Sequence, residues 1–138
     1  MRDERGSATI WMLGLSLLLL LFGGLALDFW RGLATQRELS AVADSAAIAA
    51  GSGIDEEHYR ATGEVVLDTA RSRGLAVASV NAQDANVLAM TVDVSADGSS
   101  VTVTLSSVVE LGLLGVFVDQ SEPLLVRASA TASPRLRP

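Results

Sequence analysis

The sequence predicts an α+β protein: a long N-terminal transmembrane helix continuing into an extracytoplasmic helix, then a second helix and a small antiparallel β-sheet. Three observations predict it. Residues 10–27 are apolar and uncharged, small residues then recur at helical spacing up to Ala50, and the pattern alternates with a period of two after residue 75. We therefore expect a short flank (1–9), a transmembrane helix (10–27), an extracytoplasmic domain (28–132) and a flexible tail (133–138).

Residues 10–27 contain only apolar residues, glycine and serine. At ~1.5 Å per residue they cover roughly the hydrocarbon core of a bilayer, and each central leucine favours insertion by about 0.5 kcal/mol. A cleaved signal peptide is the competing interpretation, since Gly24-Leu25-Ala26 loosely fits a cleavage site. The length of the run favours an uncleaved anchor. The small N-terminal flank and the acidic remainder favour a cytoplasmic N-terminus with the domain outside.

Aromatic residues follow this span directly. Phe29 and Trp30 lie between Asp28 and Arg31, as in the aromatic belt at a membrane interface. The alternative is that Trp30 packs on the domain.

The next part of the helix carries a stripe of small and apolar residues on one face, namely Leu39, Val42, Ala43, Ala46 and Ala50, and small residues also recur at Ala43, Ala47 and Gly51. Such a stripe lets another element approach closely. It either packs on the domain's own sheet or contacts helices of other subunits. Asp44 and Ile48 share the opposite face. Gly51-Ser52-Gly53 is a typical helix end.

A second helix is predicted from the N-cap Asp55 to Gly74. Two strands at 88–95 and 101–105 follow, joined by a hairpin with Asp97-Gly98 at its centre. A weaker strand at Val77–Asn81 and a last strand at Leu124–Ala132 complete the pattern.

Val108–Val118 is apolar but has no clean period. It is either a buried helical turn beneath the sheet or an exposed loop that touches lipid or a partner. In the second case Leu113, Leu114 and Phe117 form the contact patch.

Composition narrows the function classes. The 138 residues carry a net charge of −6 and no cysteine. An acidic outer domain argues against nucleic acid and against electrostatic docking on anionic lipid. Without cysteine there is no disulfide, thiolate nucleophile or Cys-based metal site.

Candidate catalytic groups are few. His58 is the only histidine, and in the acidic first turn of a predicted helix it is expected to be solvated. No Ser-His-Asp set, phosphate loop or His-based metal spacing occurs. Asp93–Gly98 resembles the start of a calcium loop, but the twelfth position is Thr104 instead of Glu. We expect no enzyme activity, cofactor, metal or small-molecule substrate.

Several of these features occur together in one known family. Arg5-Gly6-Ser7 before the span, Asp28 and Arg31 after it, and the run Ala43–Ala50 resemble the N-terminal signature of TadE/TadG-like proteins. These are pilin-like components of the tight-adherence (Flp) pilus system. The resemblance covers roughly Arg5–Ala50. It implies a single-pass pilin-like protein of the bacterial cytoplasmic membrane that binds other pilus or secretion-system subunits through its N-terminal helix.

By this resemblance the residues for assembly and packing are Asp28, Arg31, Leu39, Ala43, Asp44, Ala46, Ala47 and Ala50, while Phe29 and Trp30 set the depth in the membrane. In processed relatives cleavage follows a glycine and the fifth mature residue is Glu. Here the fifth residue after Gly6 is Trp11, which counts against cleavage. The alternative function is a membrane-tethered or secreted binding module unrelated to pili, with ligand contacts in the hairpin or in Val108–Val118.

Overall fold

The computed structural model describes residues 4–109, 112 and 124–134. It confirms the α+β order of a long helix, further helices and a small antiparallel sheet. The elements are α1 (Glu4–Ala50), α2 (Glu56–Thr62), α3 (Thr69–Asn81), β1 (Ala89–Val94), β2 (Val101–Val109) and β3 (Leu124–Ala132).

Helix α1 has 47 residues and is about 70 Å long at ~1.5 Å per residue. It ends where the sequence predicts, with the Gly51 N–H donating to the Ala47 carbonyl at 2.8 Å. By length and composition, α1 is the helix in the described part of the chain that could cross a membrane. Only 6% of its most apolar 18-residue window is buried, whereas the core helix of a soluble domain would be mostly buried.

The single second helix predicted from Asp55 to Gly74 is wrong, because the chain forms two helices there. Asp55 does cap α2, its Oδ1 accepting hydrogen bonds from the backbone N–H groups of Glu57 (3.1 Å) and His58 (2.9 Å). Gly63 then ends α2 in the left-handed region, with φ 76°. The extended chain beyond it pairs Leu67 with Ile54 before α3 begins.

Helix α3 replaces the strand predicted at Val77–Asn81. The N-cap of α3 is Asp68, whose Oδ1 accepts from the Arg71 N–H at 2.6 Å. Ser72, Ala76 and Val80 are the buried residues, each four apart, so one helical face packs inward and overrides the strand propensity of the valines.

The sheet has the strand order β1-β2-β3, and both pairs are antiparallel. The hairpin between β1 and β2 is confirmed, with Gly98 at φ 66°. The bounds of β3 are those predicted. Strand β2 continues to Val109, so the apolar segment predicted from Val108 starts as strand; Leu113, Leu114 and Phe117 lie outside the described residues.

Helices α1 and α3 cover one face of the sheet. The inner residues Val101, Val103 and Leu105 of β2 are fully buried there. The opposite face is polar over most of its length, and hydroxyl pairs link β2 to β3: Thr102 with Thr131 at 2.9 Å and Thr104 with Ser129 at 3.2 Å.

The domain has two ends along α1. At the far end, Gly51 lies against Ala132, such that a Cβ on Gly51 would be 3.3 Å from the Ala132 Cβ. The β1–β2 hairpin is at this end too, since Val101 pairs with Ala132. At the near end, next to the apolar half of α1, the Gly112 N–H reaches Asp28.

Candidate assembly and membrane surfaces of helix α1

The apolar half of α1 exposes nearly all of its large side chains, from Ile10 to Leu27. Phe29 and Trp30 follow with exposed fractions of 72% and 64%. Trp30 therefore does not pack on the described part of the domain. Both rings are free to lie in the headgroup layer, where amphipathic aromatics are favoured.

Asp28 is only 4% exposed, although Arg31, one turn later, is exposed. The Gly112 N–H donates to Asp28 Oδ1 at 2.9 Å, and Arg31 Nη1 lies 3.8 Å from the same oxygen. Hydrogen bonds to a charged group are about twice as strong as neutral ones. Asp28 thus joins α1 to the chain beyond β2. Of the two residues of the predicted Asp28–Arg31 pair, only Arg31 is exposed to a partner.

The small-residue stripe is buried in the chain's own core. Leu39, Ala43, Ala46, Ala47 and Ala50 are each at most 3% exposed and pack against the sheet and α3. Of the two alternatives, this is packing on the domain's own sheet. The use of these residues as subunit contacts stays a prediction, but they offer no surface in the described structure.

The other side of this half of α1 is open. We call Ala41, Asp44, Ser45 and Ile48 the outer face of α1, since all four are exposed. Ile48 is 71% exposed, and Ser45 marks the border with α3 through a 3.5 Å contact between its Oγ and that of Ser79. Asp44 and Ile48 were predicted to share a face. A helical wheel would have added Ala41 and Ser45.

The contact between Gly112 and Asp28 could not have been predicted from helical periodicity. Gly112 is 84 positions from Asp28, and no periodicity in the sequence relates the two residues.

The residues that the sequence offered as candidates for catalysis or metal binding do not form a site in the described part of the chain. His58 is not fully solvated as expected: its Nε2 is buried without a hydrogen bond, 3.9 Å from Glu64 Oε2. Gly63 turns the chain between these two residues, which brings Glu64 back towards the ring. Within the described ranges, no cluster of three or more His, Asp and Glu side chains could hold a metal ion.

The calcium-like stretch is a hairpin with internal hydrogen bonds. Ser95 and Ser99 lower the pKa of Asp97 to about 2, and the Ser99 N–H and Oγ lie 3.1 and 2.8 Å from Asp97 Oδ1. Thr104, at the twelfth position, bonds to Ser129 across the sheet. The Asp97 carboxylate thus stabilises the turn.

Residues 6–53 match the family model described as "Putative Flp pilus-assembly TadE/G-like". The match runs from Gly6 in α1 to the turn at Gly53, and it confirms the resemblance predicted from the sequence over that segment. Neither the search of curated proteins nor that of solved structures found a match.

Proposed function

We propose, from the TadE/G-like match of residues 6–53, that the chain is a membrane-anchored pilin-like subunit or assembly factor of a tight-adherence (Flp) pilus or related secretion system. It has no enzymatic role in this proposal. Residues 10–27 span the cytoplasmic membrane, the N-terminus is cytoplasmic, and the domain 28–132 lies outside. The exposed apolar half of α1 supports the anchor.

We infer that the outer face of α1 binds other subunits of the system. One observation carries this proposal: Ile48 and Asp44 are exposed on the same helix whose opposite face forms the core. Both residues lie inside the segment that matches the family. An exposed isoleucine beside small residues suits close contact with a partner helix, and Asp44 adds a charge that fixes its register.

The test is photo-crosslinking in the native host, with a benzoylphenylalanine at Ser45 and the substitution Ile48→Arg. Loss of a central apolar contact in an interface costs about 1–2 kcal/mol, or about 5–30-fold in affinity. We expect the yield of adducts with other pilus subunits to fall accordingly. The matched control is Tyr59→Arg on α2, another exposed large residue, which should leave the yield unchanged.

Membrane content and the native N-terminus are measured on the same samples. Mass spectrometry distinguishes an intact chain from cleavage after Gly6 or near Ala26. A mature chain starting near Leu27 would contradict the anchor. Equal adduct yields for Ile48→Arg and the unsubstituted chain, at equal membrane content, would contradict the outer face as the contact surface.

A further inference from the structure

We propose that the near end of the sheet rests on the lipid headgroups, so that the outer domain contacts the bilayer beside its own anchor. The contact surface consists of Leu88, Val108, Leu124 and Leu125, flanked by Arg31 and Arg127. The proposal depends on the membrane anchoring proposed above, and it holds whether or not the protein takes part in a pilus.

The position of this end along α1 follows from two contacts, one between Gly51 and Ala132 at the far end and one between Gly112 and Asp28 at the near end. From Gly51 to Asp28, α1 covers about 35 Å, and the eleven steps from Val101 to Gly112 cover at most about 36 Å at ~3.3 Å each. Strand β2 (Val101–Val109) therefore has to run nearly straight along α1 from the far end towards Asp28. Asp28 is the first residue after the span.

Leu124 and Leu125 lie at about the same level along α1 as Asp28. Val109 is three residues before Gly112, hence within about 10 Å of it, and Val109 pairs with Leu124. The headgroup layer adds roughly 5–8 Å on each side of the hydrocarbon core. If residues 10–27 fill that core, the last pairs of β2 and β3 lie at or next to the headgroups.

The outer face of the sheet changes from polar to apolar at the near end. Its cross-strand pairs are polar from the far end onward: Thr102 with Thr131, Thr104 with Ser129, and Ser106 with Arg127. The next pair on that face is Val108 with Leu125. A face that is polar along its length and apolar only beside the span is typical of a surface that meets water and then lipid.

Exposed apolar side chains concentrate here. Leu88, Leu124 and Leu125 are 61%, 52% and 48% exposed, and Leu88 reaches this level through its N–H bond to the Ser106 carbonyl at 2.8 Å. Beyond Trp30, the other large hydrophobic side chains exposed in the described ranges are Ile48, Tyr59 and Val77, one on each helix. The three leucines lie at one end of the sheet but not on one face: Leu124 pairs with the buried Val109, Leu125 pairs with Val108 on the outer face, and Leu88 precedes the opposite edge strand. Together they form an apolar patch around that end, which water solvates poorly.

Two arginines border the patch. Arg127 is exposed on the outer face, two residues from Leu125, and forms no ion pair within the described residues. Arg31 is exposed beside Trp30. Guanidinium groups at this depth donate to lipid phosphates while their stems cover apolar surface. Because zwitterionic lipids also carry phosphate, the contact is compatible with the acidic net charge of the chain.

The absence of cysteine allows a direct measurement of depth. Single cysteines at Leu18, Leu125 and Ser99 of the full chain are labelled with an environment-sensitive fluorophore in phosphatidylcholine vesicles. Because nitroxides quench only over short distances, the vesicles carry the quencher near the headgroups for Leu125, Leu124 and Ser99, and in the middle of the acyl chains, where Leu18 is expected, for the control. We expect strong quenching at Leu125 and no quenching at Ser99, which lies in the hairpin at the far end. Leu18, in the span, is the positive control, and Leu124→Cys is a second label in the patch.

The outcomes separate the two proposals. Quenching at Leu18 with none at Leu125 or Leu124 overturns the lipid contact and leaves the anchor intact. No quenching at Leu18 overturns the anchor itself. Labels at Leu125 and Leu124 that neither the lipid nitroxide nor aqueous iodide can reach would indicate a second copy of the chain on this patch, and would also overturn the lipid contact.

Discussion

The two ends of the outer domain are built differently. At the far end, backbone segments approach closely at glycines: Gly53 lies against Ser72, and the Gly98 carbonyl accepts from the Leu67 N–H at 3.0 Å. At the near end, the described contact is a hydrogen bond from Gly112 to a single carboxylate, and leucines are left exposed. The far end is packed without help from outside the chain, whereas the near end, as far as the described residues show, leaves apolar side chains exposed.

The near end is the part of the sheet whose exposed apolar side chains lipid or a partner would have to cover. Tight packing around glycines leaves no gap between the sheet, α1 and α3 for lipid or protein to fill. The exposed Ile48 on the outer face of α1 is a separate surface. An exposed apolar end beside an apolar span costs free energy in water, and that cost disappears when both meet the same bilayer. The domain is therefore expected to be stable at its far end in any medium and sensitive to its surroundings at the near end.

The largest effect is expected for Gly53→Ala at the far end. A Cβ on Gly53 would lie 2.6 Å from Ser72 Oγ, 2.8 Å from its N and 2.9 Å from its Cα. Because two of these atoms are backbone, α3 must shift relative to the end of α1. We expect a loss of about 3 kcal/mol in the free energy of unfolding, at the upper end for overpacking. Denaturant unfolding of the full chain in detergent, followed by circular dichroism, measures it.

Gly74→Ala is the matched control. Gly74 lies inside α3, and a Cβ added there would meet no atom within 4 Å, so alanine should stabilise the helix by about 0.5–1 kcal/mol. If both variants unfold at the same denaturant concentration, the far end is not held by close packing at Gly53.

At the near end, Asp28→Ala should act more locally. It removes an acceptor of the Gly112 N–H, and hydrogen bonds to charged groups contribute about 1.5–3 kcal/mol. We expect hydrogen exchange at Gly112 to accelerate by about 10–100-fold while exchange at Ser99 stays unchanged. Exchange measured by mass spectrometry on the full chain in vesicles checks this.

Gly112→Ala probes the same contact from the other side. Its Cβ would lie 2.7 Å from Asp28 Oδ1 and 2.9 Å from Arg31 Nη1, both ends of side chains that can move. A loosened near end without global unfolding is expected. Equal acceleration at Ser99 in either variant would show that the two ends do not respond separately.

The sequence predicted the elements whose signal is local. The alternation of Leu124–Ala132, the Asp97-Gly98 turn and the end of α1 at Ala50 each depend on neighbouring residues, and all are confirmed. The predicted helix to Gly74 failed because the residues around Gly63 fit helical spacing equally well. Gly63 ends α2 in the left-handed region, and the pairing of Leu67 with Ile54, a tertiary contact, keeps the chain extended before α3 begins.

The candidate surfaces were predicted less completely. Small residues such as Ala43 and Ala46 suit a core and a subunit contact equally, because both require close approach. Their burial is decided by strands more than fifty residues later in the chain. The exposed Asp44 and Ile48 could be recognised from helical phase alone, while the link from Asp28 to Gly112 could not.

The smallest effect concerns Asp97 at the far end. Hydrogen bonds from Ser95 and Ser99 lower the pKa of Asp97 from 3.8 to about 2. Since the folded pKa is depressed, this stabilisation is present above about pH 3.8 and is lost as the pH falls towards 2. An NMR titration of the Asp97 carboxyl carbon should give a midpoint near 2, and Ser95→Ala should raise it. The carboxylate is fully exposed, so unfolding should change little over this range. A midpoint at 3.8 in both proteins would mean that the hairpin does not hold Asp97, and that the far end owes its order to close packing alone.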